Sequence, residues 1–247
     1  MVPTKILASG KFSPQDLIVS VSESNRKIDS SIESQIDAVW EAKKKDADEK
    51  GQICYNGTSY RLNSLEAKEN KIFLDFGTLE FKTRVSLLQI PEYFNLPPEY
   101  YKKGCTVDST IKTADRRYLM VELSGKSLNH NVTDVLGGLI EKPLELSTGN
   151  DIFNALYIEL EEEGSIHKSD VKEIYLKSIY LACQTDIHFY FEVELNLDIE
   201  ELREKFDKEN EDQDIESIKD FSREEYLDHL KNHKSKNKQL IAELLEI

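Results

Sequence analysis

The chain has 247 residues, 39% of them hydrophobic, and a formal charge of −15 from 47 acidic against 32 basic side chains. That length and apolar content suit one large domain, or one domain with an appendage. The charge excludes a general nucleic-acid binder, which needs a basic footprint, but not a nucleotide ligand, because local cations or a bound metal reverse the field within one cleft.

In chain order, Leu17, Val19 and Val21 alternate after the turn residues Pro14 and Asp16, predicting a short extended piece. Ile32, Ile36, Val39 and Trp40 recur at helical spacing, and residues 41–50 are mostly charged. This predicts an amphipathic helix from Ser30 to Lys50 with an exposed distal end. Asn56-Gly57, with Ile53 and Tyr55 before it and Tyr60 and Leu62 after it, is a hairpin turn signal. Alternation at Ile72, Leu74 and Phe76, and again from Leu79 to Leu87, predicts strands with one buried face. Pro91, Pro97 and Pro98 then interrupt regular structure.

Arg117 to Leu123 is a further strand candidate, and Val132 to Leu136 is expected to approach Gly137-Gly138 as a short strand. Residues 141–150 read as a loop, with Asn150 or Asp151 capping a helix over Ile152 to Glu163. Glu173 to Leu181 and Ile187 to Leu195 read as strands. On the second, Ile187, Phe189, Phe191, Val193 and Leu195 share the core face, and His188 lies on the other. A short helix near Asp198 to Phe206, a strand over Ile215 to Phe221 and a helix from Ser222 towards Ile247 complete the chain, with Glu225 at the capping-box position.

Cys54, Cys105 and Cys183 have neither disulfide nor zinc spacing and read as reduced thiols. There is no bilayer-length apolar run and no secretory apolar core, so a soluble, cytoplasmic protein is expected. Neither a nucleic-acid nor a membrane partner is expected.

The chemistry concentrates on the helix after the glycine pair. Glu159, Glu162 and Glu163 stand three and four residues apart and can meet on one face. Together they repel unless a cation lies between them. Mg²⁺ suits such oxygen ligands and bridges them to substrate phosphates. The competing reading is a solvated acidic face. Gly137 and Gly138 permit a tight turn, and also a close approach of backbone to substrate or metal. Arg84, Arg117, Lys112, Arg116 and Lys126 offer cations for phosphate, although each alone reads equally as a surface charge. His188 and His130 can contact a base or phosphate, or serve structure alone. Tyr55, Tyr60 and Tyr190 can stack on a base or fill a core.

The run Gly137-Gly138-Leu139-Ile140-Glu141 through Ile158-Glu159-Leu160-Glu161-Glu162-Glu163-Gly164 resembles the Nudix box. That pattern is Gly, five residues, Glu, seven residues, then Arg-Glu-apolar-x-Glu-Glu-x-Gly-apolar. Glu159, Leu160, Glu162 and Glu163 match its core, and Gly138 its opening glycine. The chain departs from it in four places. Gly138 precedes Glu159 by 21 positions where the pattern has 15; Ile158 replaces the arginine; Ser165 holds the glycine position; and Leu144 holds the loop-glutamate count, with Glu145 one place late. Ile36-Asp37-Ala38-Val39-Trp40, Tyr55-Asn56-Gly57 and Tyr60-Arg61-Leu62 add a resemblance to the subgroup that includes uridine diphosphate-sugar hydrolases, spanning roughly Ile32 to Leu195.

The resemblance implies an α/β fold: a Nudix-like alpha-beta-alpha sandwich with a mixed sheet over residues 106–247, preceded by a strand-rich module over 1–105. It implies hydrolysis of a nucleoside diphosphate sugar or a related substrate with Mg²⁺ or Mn²⁺. Glu159, Glu162 and Glu163 then hold metal and act in catalysis, with Glu141 or Glu145 completing the site. Gly137, Gly138, Arg84, Arg117 and His188 are the expected substrate contacts. Loss of the arginine at Ile158 leaves a second reading open, a Nudix-like nucleotide-binding or protein-interaction module without hydrolysis.

Overall fold

A computed structural model of the chain describes residues 4–22, 30–50, 54–95, 103–124, 132–182, 186–210 and 215–246. The expectations for Cys183, Lys126 and His130 lie outside them. The elements in order are β1 (Lys5–Phe12), β2 (Leu17–Val21), α1 (Ser30–Lys50), β3 (Thr58–Lys68), β4 (Lys71–Glu80), α2 (Phe81–Leu87), β5 (Gly104–Lys112), β6 (Tyr118–Leu123), β7 (Thr133–Asp134), β8 (Gly137–Leu139), α3 (Gly149–Gly164), β9 (Val171–Ala182), β10 (Asp186–Leu195), α4 (Ile199–Glu209), β11 (Ile215–Phe221), α5 (Arg223–Asn232) and α6 (Lys236–Glu246).

The class is mixed α/β. One sheet runs β1-β9-β10-β5-β3-β4-β2, with β6, β7, β8 and β11 attached off that path. The β10–β5 and β2–β4 pairs are parallel and the rest antiparallel. Alternation on β10 sorts its two faces. Ile187, Phe189, Phe191, Val193 and Leu195 join Ile152, Leu156 and Leu160 of α3 in the main core, and Tyr190 joins Tyr226, Leu230 and Ile241 of α5 and α6 in a second one. Strands from both sides of residue 105 share this sheet, and Leu17, Leu62 and Phe76 share the main core with Phe189. A third cluster, Ile32, Ile36, Leu87, Ile90 and Tyr93, holds α1 to α2 and the segment after it.

Several expected elements stand as read, including α1, β4, β6, α3, β9, β10, α4 and β11. Others differ. Asn56-Gly57 turns no hairpin, since β3 starts at Thr58. The Asn56 side-chain oxygen accepts from the Lys82 N–H at 2.8 Å, and the Gly57 carbonyl accepts from the Phe81 N–H at 2.8 Å. The pair therefore satisfies the open N-terminus of α2. The strand expected from Leu79 to Leu87 ends at Glu80 for the same reason: Phe81 and Val85 also stand one helical turn apart, and packing on α1 selects the helix. Only Thr133–Asp134 pairs ahead of the glycines. The long C-terminal helix is two helices, broken at His233.

Candidate active site

The carboxylate helix, α3, is fixed at both ends. Thr148, not Asn150 or Asp151, is its N-cap. Asp151 Oδ2 accepts from the backbone N–H groups of Ser147 and Thr148, at 2.9 and 2.8 Å, tying the loop to the first turn. At the other end Ser165 is left-handed, with φ 52° and ψ 30°. Its N–H reaches the Glu161 carbonyl at 3.1 Å, and the Ile166 N–H reaches the Leu160 carbonyl at 2.9 Å. This is the geometry that favours glycine after a helix. Ile152, Leu156 and Leu160 bury one face of α3 in the main core.

The glycine pair is a strand rather than a turn. In β8, Gly137, Gly138 and Leu139 lie opposite Asp108, Val107 and Thr106 of β5. Gly137, at φ +154°, has no room for a side chain, because a Cβ there would overlap the Val107 carbonyl oxygen. At Gly138 the obstacle is different. A Cβ would occupy the place of the Glu159 carboxylate, which lies directly on this glycine. One turn further along α3, Glu163 Oε2 accepts the Gly137 N–H at 2.9 Å. The two glycines thus carry two carboxylates of one helix face, which is the close backbone approach their lack of side chains permits.

Two more glutamates adjoin. Glu141 pairs as an isolated bridge with Ser59, just past β8. Burial pushes its carboxyl up, the charge of Glu162 pushes the same way, and Arg84 opposes both. Glu141 is thus within electrostatic reach of Glu162 and Arg84, while Glu145 is exposed and paired with Lys142 at 2.7 Å. Glu161 is turned to His167, 3.1 Å away, and leaves the site. Arg84 donates from Nη2 to Asp186 Oδ2 at 3.3 Å, and its buried Nε has no hydrogen-bond partner among the described residues.

A donor set made entirely of carboxylate oxygens is the class that Mg²⁺ and Mn²⁺ take. Among the described residues no three Asp, Glu, His or Cys side chains converge on one ion position. Glu159 and Glu163 are turned onto glycine backbone, and the exposed Glu162 has the rotational freedom to join them.

The remaining candidates are engaged elsewhere. Arg117 Nε donates to Asp220 Oδ2 at 2.6 Å, in a pair that Arg203 joins. His188 lies on the sheet face that carries α5 and α6, opposite α3. Its Nδ1 is 2.5 Å from Asp108 Oδ2, its ring stacks on Tyr180 at 4.9 Å, and Asn237 of α6 lies 3.3 Å from Nε2. Tyr60 and Tyr190 are fully buried, and the Tyr60 hydroxyl donates to the Leu144 carbonyl at 2.9 Å. Tyr55 is 66% exposed.

Sequence reading did not find the cavity beside Glu141. About 280 Å³ of space lies between α1, the start of α2 and the end of β8. Its lining includes Lys43, Tyr55, Phe81, Val85, Leu139 and Glu141. The helical spacing of Trp40, Lys43 and Ala47 was the available signal, since it carries the inward stripe of α1 beyond the apolar run.

No family model and no curated protein matches the chain. Among solved structures it is similar to a protein of Deinococcus radiodurans, at 16% identity, 58% of this chain, 84% of that one and a TM-score of 0.43. It is also similar to a NUDIX hydrolase from Nitrosomonas europaea, at 18% identity, 59% of this chain, 89% of that one and a TM-score of 0.37. A third is the NUDIX domain of Shewanella oneidensis NrtR complexed with ADP ribose, at 13% identity, 63% of this chain, 94% of that one and a TM-score of 0.40.

Proposed function

We propose that the chain is a divalent-metal-dependent pyrophosphohydrolase of Nudix type, cleaving a nucleoside diphosphate sugar or a related nucleoside diphosphate-linked substrate. The observation that carries this is the seating of Glu159 on Gly138 and of Glu163 on the Gly137 N–H. It aligns two carboxylates one turn apart against a bare strand, in the order the sequence motif requires. Glu159, Glu162 and Glu163 are the proposed ligands, with Glu141 beside them. Mg²⁺ or Mn²⁺ bound there would screen the diphosphate and supply a more acidic water. Arg84, within electrostatic reach of Glu141, is the cation offered to a phosphate oxygen. Glu141, beside Glu162, is offered as the carboxylate that orients or deprotonates a nearby water. Arg84 is itself paired with Asp186 but acts on Glu141, whereas Arg117 and His188 are paired with Asp220 and Asp108 and are left out of this site.

The test is release of nucleoside monophosphate from a panel of nucleotide sugars and dinucleotides, with Mg²⁺ and with Mn²⁺. No turnover across the panel rejects the hydrolase. One observation favours the non-hydrolysing module: Ile158, at the arginine position of the motif, is 43% exposed and brings no cation to the glutamates. Calorimetry separates the two, since tight nucleotide binding without products supports the binding module, and efficient hydrolysis sinks it.

A further inference from the structure

We infer that the cavity under α1 is a nucleoside pocket, in which α1 and Tyr55 recognise the base of the substrate; this rests on the diphosphate-hydrolase reading for the position of the phosphates. The cavity and the carboxylates share a wall. That wall is β8: Glu159 sits on one face of it at Gly138, while Leu139, which lines the cavity with Glu141, points to the other. The Glu141 carboxylate also lies 3.8 Å from a Cβ position on Gly57, and the Tyr55 ring lies 3.0 Å from the same position. A ligand whose phosphates met Arg84 directly, and Glu141 and Glu162 through a cation, would extend past Tyr55 into the cavity.

The chemistry of the walls selects what enters. Phe81, Val85, Leu139 and Ala47 are apolar. Tyr55 is 66% exposed, an uncommon state for a large ring that lines a cavity, and its face is open for stacking. Stacking on such a ring is open to any base, because every base has a π-face. Lys43 and Asp46, three residues apart on α1, bring a donor and an acceptor to the rim, Asp46 Oδ2 also accepting from Lys50 at 2.8 Å. A sugar alone would need polar groups on several sides, and the apolar walls do not supply them. The space of about 280 Å³ lies just under the usual small-molecule range, so it takes one nucleoside and not two.

Trp40 gives the pocket a reporter. It is the only tryptophan, and its ring meets Phe81 edge to face at 6.2 Å and 84°. A ligand against Phe81 alters its surroundings. The full chain is titrated with adenosine, guanosine, cytidine and uridine, and with ribose as the base-free probe, without added metal. Heat and Trp40 emission are followed together. At least one nucleoside saturates both signals, and ribose binds at least about tenfold more weakly. Tyr55→Ala weakens that nucleoside roughly tenfold, and Val85→Phe, which fills the cavity, abolishes the Trp40 response. Nucleosides lack the phosphates, so the result is independent of hydrolysis. Saturable nucleoside binding without turnover keeps this pocket and rejects the hydrolase. Turnover without nucleoside binding keeps the hydrolase and overturns this pocket. The inference also fails when ribose binds as tightly as every nucleoside, or when affinity survives Tyr55→Ala, a change at an exposed side chain that leaves the fold intact.

Discussion

At the residue scale, the two glycines of β8 look alike in sequence and do different work. Gly138→Ala puts a methyl group where the Glu159 carboxylate lies, and that carboxylate is the far end of a flexible side chain. It moves aside and the backbone stays. With Glu159 a metal ligand as proposed, hydrolysis should fall roughly 10- to 100-fold, the range for losing the support of such a ligand, with the melting temperature within about 2 °C of the parent. Gly137→Ala instead meets the Val107 carbonyl of the neighbouring strand. It should cost about 1–3 kcal/mol and lower the melting temperature by several degrees. Kinetics and thermal melts of the two variants together test this, and equal melting temperatures refute it. The glutamates divide in the same way. Glu163→Gln and Glu159→Gln remove charges that face β8 and should lower turnover roughly 100-fold or more. Glu161→Gln should change it less than about threefold, because Glu161 is turned to His167. A large loss at Glu161 in metal-titrated kinetics would mean that the proposed ligands lie on the wrong face of α3.

At the element scale, α3 stops on a residue that suits the stop poorly. Ser165 takes φ 52°, where a side chain crowds the following carbonyl. Ser165→Gly should relieve roughly 1 kcal/mol and raise the melting temperature by about 2–4 °C without changing turnover. A lower melting temperature would mean that the buried Ser165 side chain contributes more than its conformation costs. The need for a left-handed residue here was legible, because the motif ends on glycine at this position. So was the facing of Glu159 and Glu163, which depends only on helical spacing and a gap left by two glycines. What stayed hidden depends on distant partners. β1 has a weak pattern of its own and exists by pairing with β9. Alternation over 79–87 fits strand and helix alike, and Asn56, Gly57 and α1 decide between them. Arg117 and His188 read as candidate substrate contacts, because the Asp220 and Asp108 that hold them are 103 and 80 residues away in sequence. The cavity draws on α1, α2 and β8, so no local window contains it.

At the scale of the molecule, α6 and α1 are held by different means. Under α6 the sheet buries a polar group. Burial alone would raise the Asp108 carboxyl, but the charge and hydrogen bond of His188, with Lys238 and Tyr180, hold it down at about 2 instead of the ordinary 3.8. A carboxyl lowered by folding stabilises the fold fully above its unfolded value, and loses that contribution as pH falls through its folded value. Asp108→Asn should therefore cost about 2 kcal/mol near neutral pH. The gap from the parent should close between about pH 4 and pH 2, as denaturant titrations at several pH values would reveal. A gap that is constant down to pH 2 would mean the charge is not what matters. The hold on α1 is of another kind. Of its 21 residues only Ile32, Ile36, Trp40 and Ala47 are buried, and its cluster with Leu87, Ile90 and Tyr93 is small beside the main core. Helices held by few buried contacts open without global unfolding. Backbone amides of α1 should exchange with deuterium well before those of β9 and β10, which lie inside the sheet and bury Leu176, Ile179, Phe189, Tyr190 and Phe191. The boundary between fast and slow amides should follow α1 and α2, since β2, β3 and β4 share the sheet and core of the later strands. Exchange followed by mass spectrometry tests this directly. Protection of α1 equal to that of β10 overturns it, whereas a boundary at residue 105 would show that the first strands form a separate cooperative unit. A nucleoside in the cavity contacts α1 and the sheet at once, so it should slow exchange in α1 and leave α5 and α6 unchanged.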